Sequence, residues 1–288
     1  MKIMKNCFLI VNCNDYKSTK HLIDNIKDYK IIDHILIVDN DSKKEEKDLL
    51  SNLESETVEV YYNDENLGYS SAINIGTRYL IDKFGDCNFI ISNSDIVILS
   101  EEDLHKLIKA LEHETVGLVG SQVMENGIIS RGYRNPSPLK DSLFNLKLFR
   151  KLFRDKMLYY PDHVYESEYT SVDVVNSCFF LITSDTLKRI NFMDEKLFLY
   201  YEDCVLGKKV RDLGLINIIV NNVKIKHFRS VSIDKIYSSI DKIAFFYESQ
   251  LYYHTTYNDT NAFEIMMLGI TQSFSLFSKS LIKFIKKL

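Results

Sequence analysis

Apolar residues in the first 120 positions come in short, nearly unbroken runs, and each run is followed by a stretch whose apolar positions recur every three to four residues. The runs at 7–13, 31–39, 58–62, 87–92 and 116–121 have the length of strands. The stretches near 16–29, 43–54, 69–84 and 101–113 have the period of helices. Alternation at this pitch predicts right-handed strand–helix–strand crossovers and an α/β fold with a mainly parallel, Rossmann-like central sheet flanked by helices. Apolarity at consecutive positions, rather than at every second one, predicts strands covered on both faces. After Ser121 the rhythm breaks. Gly127, Gly132, Pro136 and Pro138 punctuate a loop-rich section, and a basic amphipathic segment follows at 139–157. A strand is expected over 172–183, a helix over 202–213, one or two strands over 215–228, and helix from 233 onward.

Composition narrows the class. The 288 residues are 45% hydrophobic and 26% charged, as in an ordinary globular protein large enough to bury a sizeable core. A net charge of −4 argues against wholesale nucleic-acid binding. The five cysteines (7, 13, 87, 178 and 204) form no C-x-x-C pair, so free thiols in a reducing compartment are expected. No run approaches the roughly 18 apolar residues of a spanning helix. The run at 7–11 ends in polar residues rather than in a small-residue cleavage site. A cytoplasmic protein whose membrane contact is at most peripheral is therefore expected.

Candidate chemistry gathers where strands end and helices begin, the edge at which parallel α/β sheets bind ligands. Asp39 closes the second run in Val38–Asp39–Asn40–Asp41–Ser42. It can accept from a base or a ribose there, although the same residues are also turn chemistry. The stretch from Asn66 through Gly68 and Asn74 to Gly76 reads as a loop feeding a helix with small residues in its first turn. Such a start suits a diphosphate or ribose, or is an ordinary capped helix. Asn93–Ser94–Asp95 follows Phe-Ile-Ile-Ser and delivers a carboxylate to the edge, where hard oxygen suits Mg²⁺ or Mn²⁺. Glu202 and Asp203 open a helix, as dipole partners or with Asp203 as a general base. His227 lies just past a strand and is available as a second metal ligand, with Arg229 near the phosphates.

In this order the motifs resemble glycosyltransferase family 2, particularly its rhamnosyltransferase-like and capsule-type members, from about Phe8 to Ser232. Phe198–Leu199–Tyr200–Tyr201–Glu202–Asp203 resembles the family's acceptor motif, and His227 through Ser232 its late histidine motif. The resemblance implies a glycosyltransferase-A fold, a nucleotide-sugar donor (a UDP- or dTDP-sugar), Mn²⁺ or Mg²⁺, and inversion at the anomeric carbon. It implies that Asp39 holds the base and that Asn12, Asn14, Asn66, Gly68, Asn74, Asn93, Ser94 and Arg229 line the nucleotide sugar. Asp95 and His227 then hold the metal, and Asp203, beside Glu202, acts as base. Two positions depart from the family pattern: Val205 stands where many relatives carry a further acid, and Lys209 where an arginine is frequent. Processive relatives use a Q-x-x-R-W motif. This chain has no tryptophan, so transfer of one or a few sugars is expected.

The expected organisation is a catalytic domain over 1–232, with a donor half to about 121 and an acceptor half beyond, and a helical extension over 233–288. On a helical wheel Phe274, Phe277, Leu281, Phe284, Ile285 and Leu288 oppose Lys279, Lys283, Lys286 and Lys287. That tail is expected on an anionic membrane surface, at the inner face of the plasma membrane, serving a lipid-linked saccharide acceptor. In 139–157, Phe144, Leu148, Phe149, Leu152 and Phe153 oppose Lys147, Arg150, Lys151 and Arg154, and there a core-packed or dimer-forming helix is expected. Two other readings stay open. One is a sugar nucleotidyltransferase, whose triphosphate loop is missing at Asn12–Asp15. The other is a non-catalytic nucleotide-sugar-binding subunit of a transferase complex.

Overall fold

A computed structural model describes residues 4–228 and 238–285. Strands β1 (Lys5–Asn12), β2 (His34–Asn40), β3 (Val58–Asn63) and β4 (Cys87–Asn93) alternate with helices α1 (Tyr16–Ile26), α2 (Lys44–Ser51) and α3 (Tyr69–Phe84), where the pattern placed them. After them come β5 (Ile96–Ile98), α4 (Glu101–Leu111), β6 (Val116–Glu125), β7 (Ile128–Ser130), α5 (Pro138–Asn145) and α6 (Lys147–Leu158). The chain continues with β8 (Tyr169–Val172), β9 (Phe179–Thr183), α7 (Ser184–Arg189), α8 (Glu202–Asp212), β10 (Ile216–His227), α9 (Ser239–Tyr257) and α10 (Ala262–Ile285).

Among the described residues ten strands join one sheet in the order β3-β2-β1-β4-β9-β6-β10-β5, with β7 on β6 and β8 on β10. Its first half is parallel: β1 pairs with β2 and β4, and β2 with β3. The second half is mixed, because β9 runs antiparallel between β4 and β6 while β6 and β10 run parallel. Successive side chains leave a strand on opposite faces. Phe8, Ile10, Ile35, Ile37, Phe179 and Leu181 therefore pack with Leu22, Ile26, Leu104 and Leu107 on one face. Cys7, Leu9, Leu36, Val38, Phe180 and Ile182 pack with Ile73, Leu80, Leu206 and Val210 on the other. Two covered faces explain the unbroken apolar runs.

The structure corrects the pattern at two places. The apolar run 172–183 is not one strand. It stops at Val172, and Asp173 to Cys178 turn the chain so that β9 can enter the sheet in the opposite sense. Val174 and Val175 are apolar because that turn is buried, with Val174 bridged to Tyr133. The segment 139–157 is not one helix, since Leu146 adopts extended backbone (φ −84, ψ 113) and separates α5 from α6. Nor is α6 core-packed: none of its residues is buried, whereas Phe144 of α5 is. All five cysteines are free.

Helices α9 and α10 close over α5 and α8. Val174, Leu197, Tyr201, Cys204, Val205 and Tyr253 form a small third core there. A buried polar network runs beside it. The Tyr201 hydroxyl donates to Asp141, and the Gln250 amide donates to Tyr201 Oη at 2.9 Å. His254 Nε2 lies 2.8 Å from Asp141 Oδ2. Asn145 and Gln272 amides both donate to Gln250 Oε1, at 3.0 and 2.9 Å. Buried polar groups matched in this way fix one arrangement of the helices.

Candidate active site

Strand direction gathers the candidate residues. Parallel pairing brings Asn12, Asp39 and Asn93 to one edge of the sheet. Strand β9 begins at that edge, just after Ser177 and Cys178, and the Asn93 amide donates to the Cys178 carbonyl at 2.9 Å. Strands β6 and β10 run with β4 and end there at Glu125 and His227.

On the β1–β3 side the polar groups hold one another. Asn12 is fully buried and donates from Nδ2 to Asp39 Oδ1 at 2.8 Å, while its Oδ1 accepts from Thr19. Asp39, also fully buried, accepts from the Ser42 amide at 3.1 Å and from the Ser42 hydroxyl. Asn14 has positive φ (53°); its amide donates to Ser42 Oγ and its Oδ1 accepts from Lys43. Asn66 Oδ1 accepts from Asn40 and from the Gly68 amide. Gly68 precedes α3 at φ +83°, and an added Cβ there would lie 2.7 Å from the Phe198 carbonyl oxygen. Asn74 does not join this edge. It is fully buried, and its amide group exchanges hydrogen bonds with Met193 and Glu195. Its place in the motif reflects a helix-to-loop clamp, while Gly76 lets α3 lie close against Leu9 and Val38.

Asp95 stands in the turn between β4 and β5, with Ser94 Oγ 3.4 Å from Asp15. Its Oδ1 lies 3.2 Å from His227 Nε2, and His227 Nδ1 lies 3.2 Å from Glu125 Oε2. Burial alone would lower the His227 pKa. The hydrogen bond and charge of Asp95, with those of Glu125, more than reverse this, and the pKa stands above its ordinary value. Among the described residues no three His, Cys, Asp or Glu side chains form a ready-made metal cage. Asp95 and His227 nevertheless offer one carboxylate oxygen and one imidazole nitrogen side by side. That donor set suits Mn²⁺ when substrate oxygens complete the shell. Arg229 lies outside the described residues, as do Ser230, Val231 and Ser232.

The acceptor motif turns sharply into α8, with Tyr200 and Tyr201 both at positive φ (71° and 62°). Glu202 Oε1 accepts from Ser177 Oγ at 2.8 Å, and its Oε2 is buried without a hydrogen-bond partner among the described residues. Burial, then the charge of Asp203, push the Glu202 carboxyl up to about 7. Asp203 Oδ2 accepts from the Tyr133 hydroxyl at 2.7 Å, and Oδ1 from the Cys204 amide. Burial raises its pKa, opposed by the Tyr133 hydrogen bond. Tyr69, whose hydroxyl donates to the Ser177 carbonyl at 2.7 Å, sits within the fields of Glu202, Asp95 and Asp203. Cys178 senses Asp95, Asp203 and Glu125 together. Ser177 and Cys178 link two of these groups, Ser177 Oγ to Glu202 and the Cys178 carbonyl to the Asn93 amide, two residues before Asp95. A cleft of about 460 Å³ opens at the other end of β1, by Asn6, Ile31, His105 and Lys109, and none of the residues above lines it.

The model of glycosyl transferase family 2 matches residues 7–173, more than half of the chain. The chain belongs to glycosyl transferase family 2. The family member is 24% identical over 197 residues to the low-salt glycan biosynthesis hexosyltransferase Agl10 of Haloferax volcanii, which covers 68% of this chain and 58% of that relative. It therefore spans less than two thirds of the relative's length. Two solved structures share the fold. The mannosyltransferase PcManGT of Pyrobaculum calidifontis, in complex with GDP-Man and Mn²⁺, superposes with a TM-score of 0.60 at 12% identity, over 97% of this chain and 74% of that one. GalNAc-T7 with UDP, GalNAc and Mn²⁺ gives 0.59 at 16% identity, over 79% and 44%.

Within this family member both departures from the motif have local explanations. Val205 is 1% exposed and packs in the small core with Tyr201 and Tyr253, where an acid would be buried among rings. Lys209 donates to the Phe192 carbonyl at 2.6 Å and ties α8 to the preceding loop. Four residues of the site escape a motif reading: Glu125, Tyr133, Ser177 and Tyr69. Tyr133 follows Gly132 inside the loop-rich section, and only its bridge to Val174 brings it to Asp203.

Proposed function

We propose that this protein transfers a single sugar, with inversion, from a nucleoside-diphosphate sugar to a hydroxyl of a saccharide acceptor. The observation that carries this reading is the link, through Ser177 and Cys178, between the strand end that presents the Asp95–His227 pair and the helix start that presents Glu202 and Asp203. Asp203, kept basic by its burial, takes the proton of the acceptor hydroxyl. The acceptor oxygen then bonds to the anomeric carbon from the face opposite the diphosphate, and the bond to the diphosphate oxygen breaks. Tyr133 holds the Asp203 carboxylate in place. Asp95 and His227 would hold Mn²⁺ or Mg²⁺, which when bound offsets charge on the leaving diphosphate. Glu125, behind His227, orients the ring through Nδ1.

The donor is a UDP- or dTDP-sugar, bound along β1–β4 and the start of α3 in a donor half to about residue 121. The acceptor site belongs to the half from 122 to 232, and 233–288 form the helical extension. Solved relatives that hold UDP or GDP-Man with Mn²⁺ support a nucleotide-sugar donor. The acceptor is a lipid-linked saccharide of a surface or capsular polysaccharide, met at the cytoplasmic face of the membrane. Asp203→Asn is expected to abolish transfer while leaving nucleotide binding intact, measured by product formation and by calorimetry. Transfer by that variant would remove Asp203 from the base role. Turnover by the isolated wild-type chain also separates this reading from a non-catalytic subunit.

A further inference from the structure

Helix α10 is amphipathic in the reverse sense of an ordinary surface helix. Its inward face carries Leu268 but also Thr271 and Gln272, which are 8% exposed and hydrogen-bonded to Asn145 and Gln250. Its outward face carries Phe263, Met266, Ile270, Phe274 and Phe277, all more than half exposed. At about 100° per residue these five fall within one narrow stripe. No charged residue interrupts the sequence between Glu264 and Lys279. Water is the wrong solvent for such a face.

A second apolar surface lies nearby. Helix α5 packs against both α10 and α6 and exposes Leu139 and Leu143, while α6 exposes Leu148 and Leu152. Lys147, Arg150, Lys151, Arg154 and Lys156 of α6 are all exposed, against a single acid, Asp155. Although the chain is net acidic, α6 and the sequence beyond Glu264 hold nine of its 36 bases and one of its 40 acids. In α6 the cations thus stand beside the exposed Leu148 and Leu152.

We infer that α5, α6 and the outward stripe of α10 form a docking surface for an anionic lipid bilayer. Exposed apolar side chains enter the acyl boundary and the flanking cations meet the headgroups. A second copy of the chain is the poorer occupant, because a twofold contact through this face would oppose the cations of α6 to themselves. The helices lie on the membrane rather than cross it, since among the described residues no helix is long and apolar enough to span. Helix α5 also carries Asp141, which accepts from the Tyr201 hydroxyl next to Glu202 and Asp203. The bilayer thereby lies on the acceptor side of the site; this last step rests on the transferase reading above.

The test is flotation of the full chain with vesicles of phosphatidylcholine alone and of phosphatidylcholine mixed equally with phosphatidylglycerol. The protein should float with the anionic vesicles and stay behind with the neutral ones. The exposed-face variant Ile270→Ser/Phe274→Ser/Phe277→Ser should partition at least about tenfold more weakly, given the transfer free energy of each side chain. Arg150→Glu/Lys151→Glu should lose the preference for phosphatidylglycerol. Wild-type protein that ignores anionic vesicles, or a triple variant that floats equally well, would overturn the proposal. So would a wild-type dimer in sedimentation velocity that the triple variant dissociates, which would assign the face to a second copy. Circular dichroism checks the fold of each variant. Nucleoside-diphosphate binding in the same samples distinguishes failure of the docking surface from failure of the transferase reading.

Discussion

Glu202 and Asp203 are neighbours in sequence with different surroundings, and the difference is measurable. Asp203 has a phenol and a backbone amide on its oxygens, whereas Glu202 Oε1 accepts from the Ser177 hydroxyl and its Oε2 is buried without a hydrogen-bond partner among the described residues. With its folded pKa near 7, above the unfolded value of 4.5, Glu202 keeps a proton in the folded state that the unfolded chain has released. Its contribution to stability therefore falls as pH rises from about 4.5 to about 7, and the full cost stands above that window. Glu202→Gln should raise stability at pH 8 by on the order of 1–3 kcal/mol and change little at pH 5, as read by thermal melts. An equal effect at both pH values would refute the assignment. At the proposed metal pair, Glu125→Gln should weaken Mn²⁺ binding about 10- to 100-fold by calorimetry without unfolding the chain, because His227 would lose the carboxylate that orients it. The Asp95, His227, Glu202 and Asp203 positions were legible in the sequence, each being fixed by a strand end or a helix start. Their partners Tyr133, Ser177 and Glu125 were not. Tyr133 and Ser177 lie in irregular backbone, Glu125 lies beyond the expected end of its strand, and only tertiary folding decides what each one touches.

The elements of the first 120 residues were readable because nearly every one is a full-length run with a single period. The failures came from elements that are too short or apolar for another reason. Strands β5 and β7 have three residues each, less than two alternations of a pleat. The run 172–183 merged two strands because Val174 and Val175 are buried within the turn between them. The break at Leu146 leaves no local signal, since the amphipathic pattern continues across it. Gly68 shows how one residue can join elements from the two halves. It combines a backbone conformation essentially confined to glycine (φ +83°, ψ 172°) with close contact to the Phe198 backbone, four residues before Glu202. Gly68→Ala should therefore cost at least about 2 kcal/mol in urea unfolding, through strain and overpacking. It should also impair transfer beyond its effect on nucleotide binding, since the contact it disturbs leads into the acceptor motif. A change in stability alone would reduce Gly68 to a turn residue.

For the whole molecule, ligand binding is the direct readout of the donor site. A panel of UDP, dTDP, GDP and CMP, each with and without Mn²⁺, should give one nucleoside diphosphate that raises the melting temperature only when the metal is present. No shift with any of them would leave the metal pair without support. Family, sheet edge and carboxylates were visible from the motifs. The outward-turned α10 was not, because a helical wheel shows that a helix has two faces without showing which one meets the protein. One feature of the sheet bears on how the enzyme can move. Strand β9 is laced to β4 on one side and to β6 on the other, so the parallel first half of the sheet and its mixed second half share a single hydrogen-bonded plate. Such a plate has no hinge between its halves. Opening to admit the donor and release the spent nucleotide must then come from the loops at its rim, and turnover should respond to changes in those loops rather than to any spreading of the two halves.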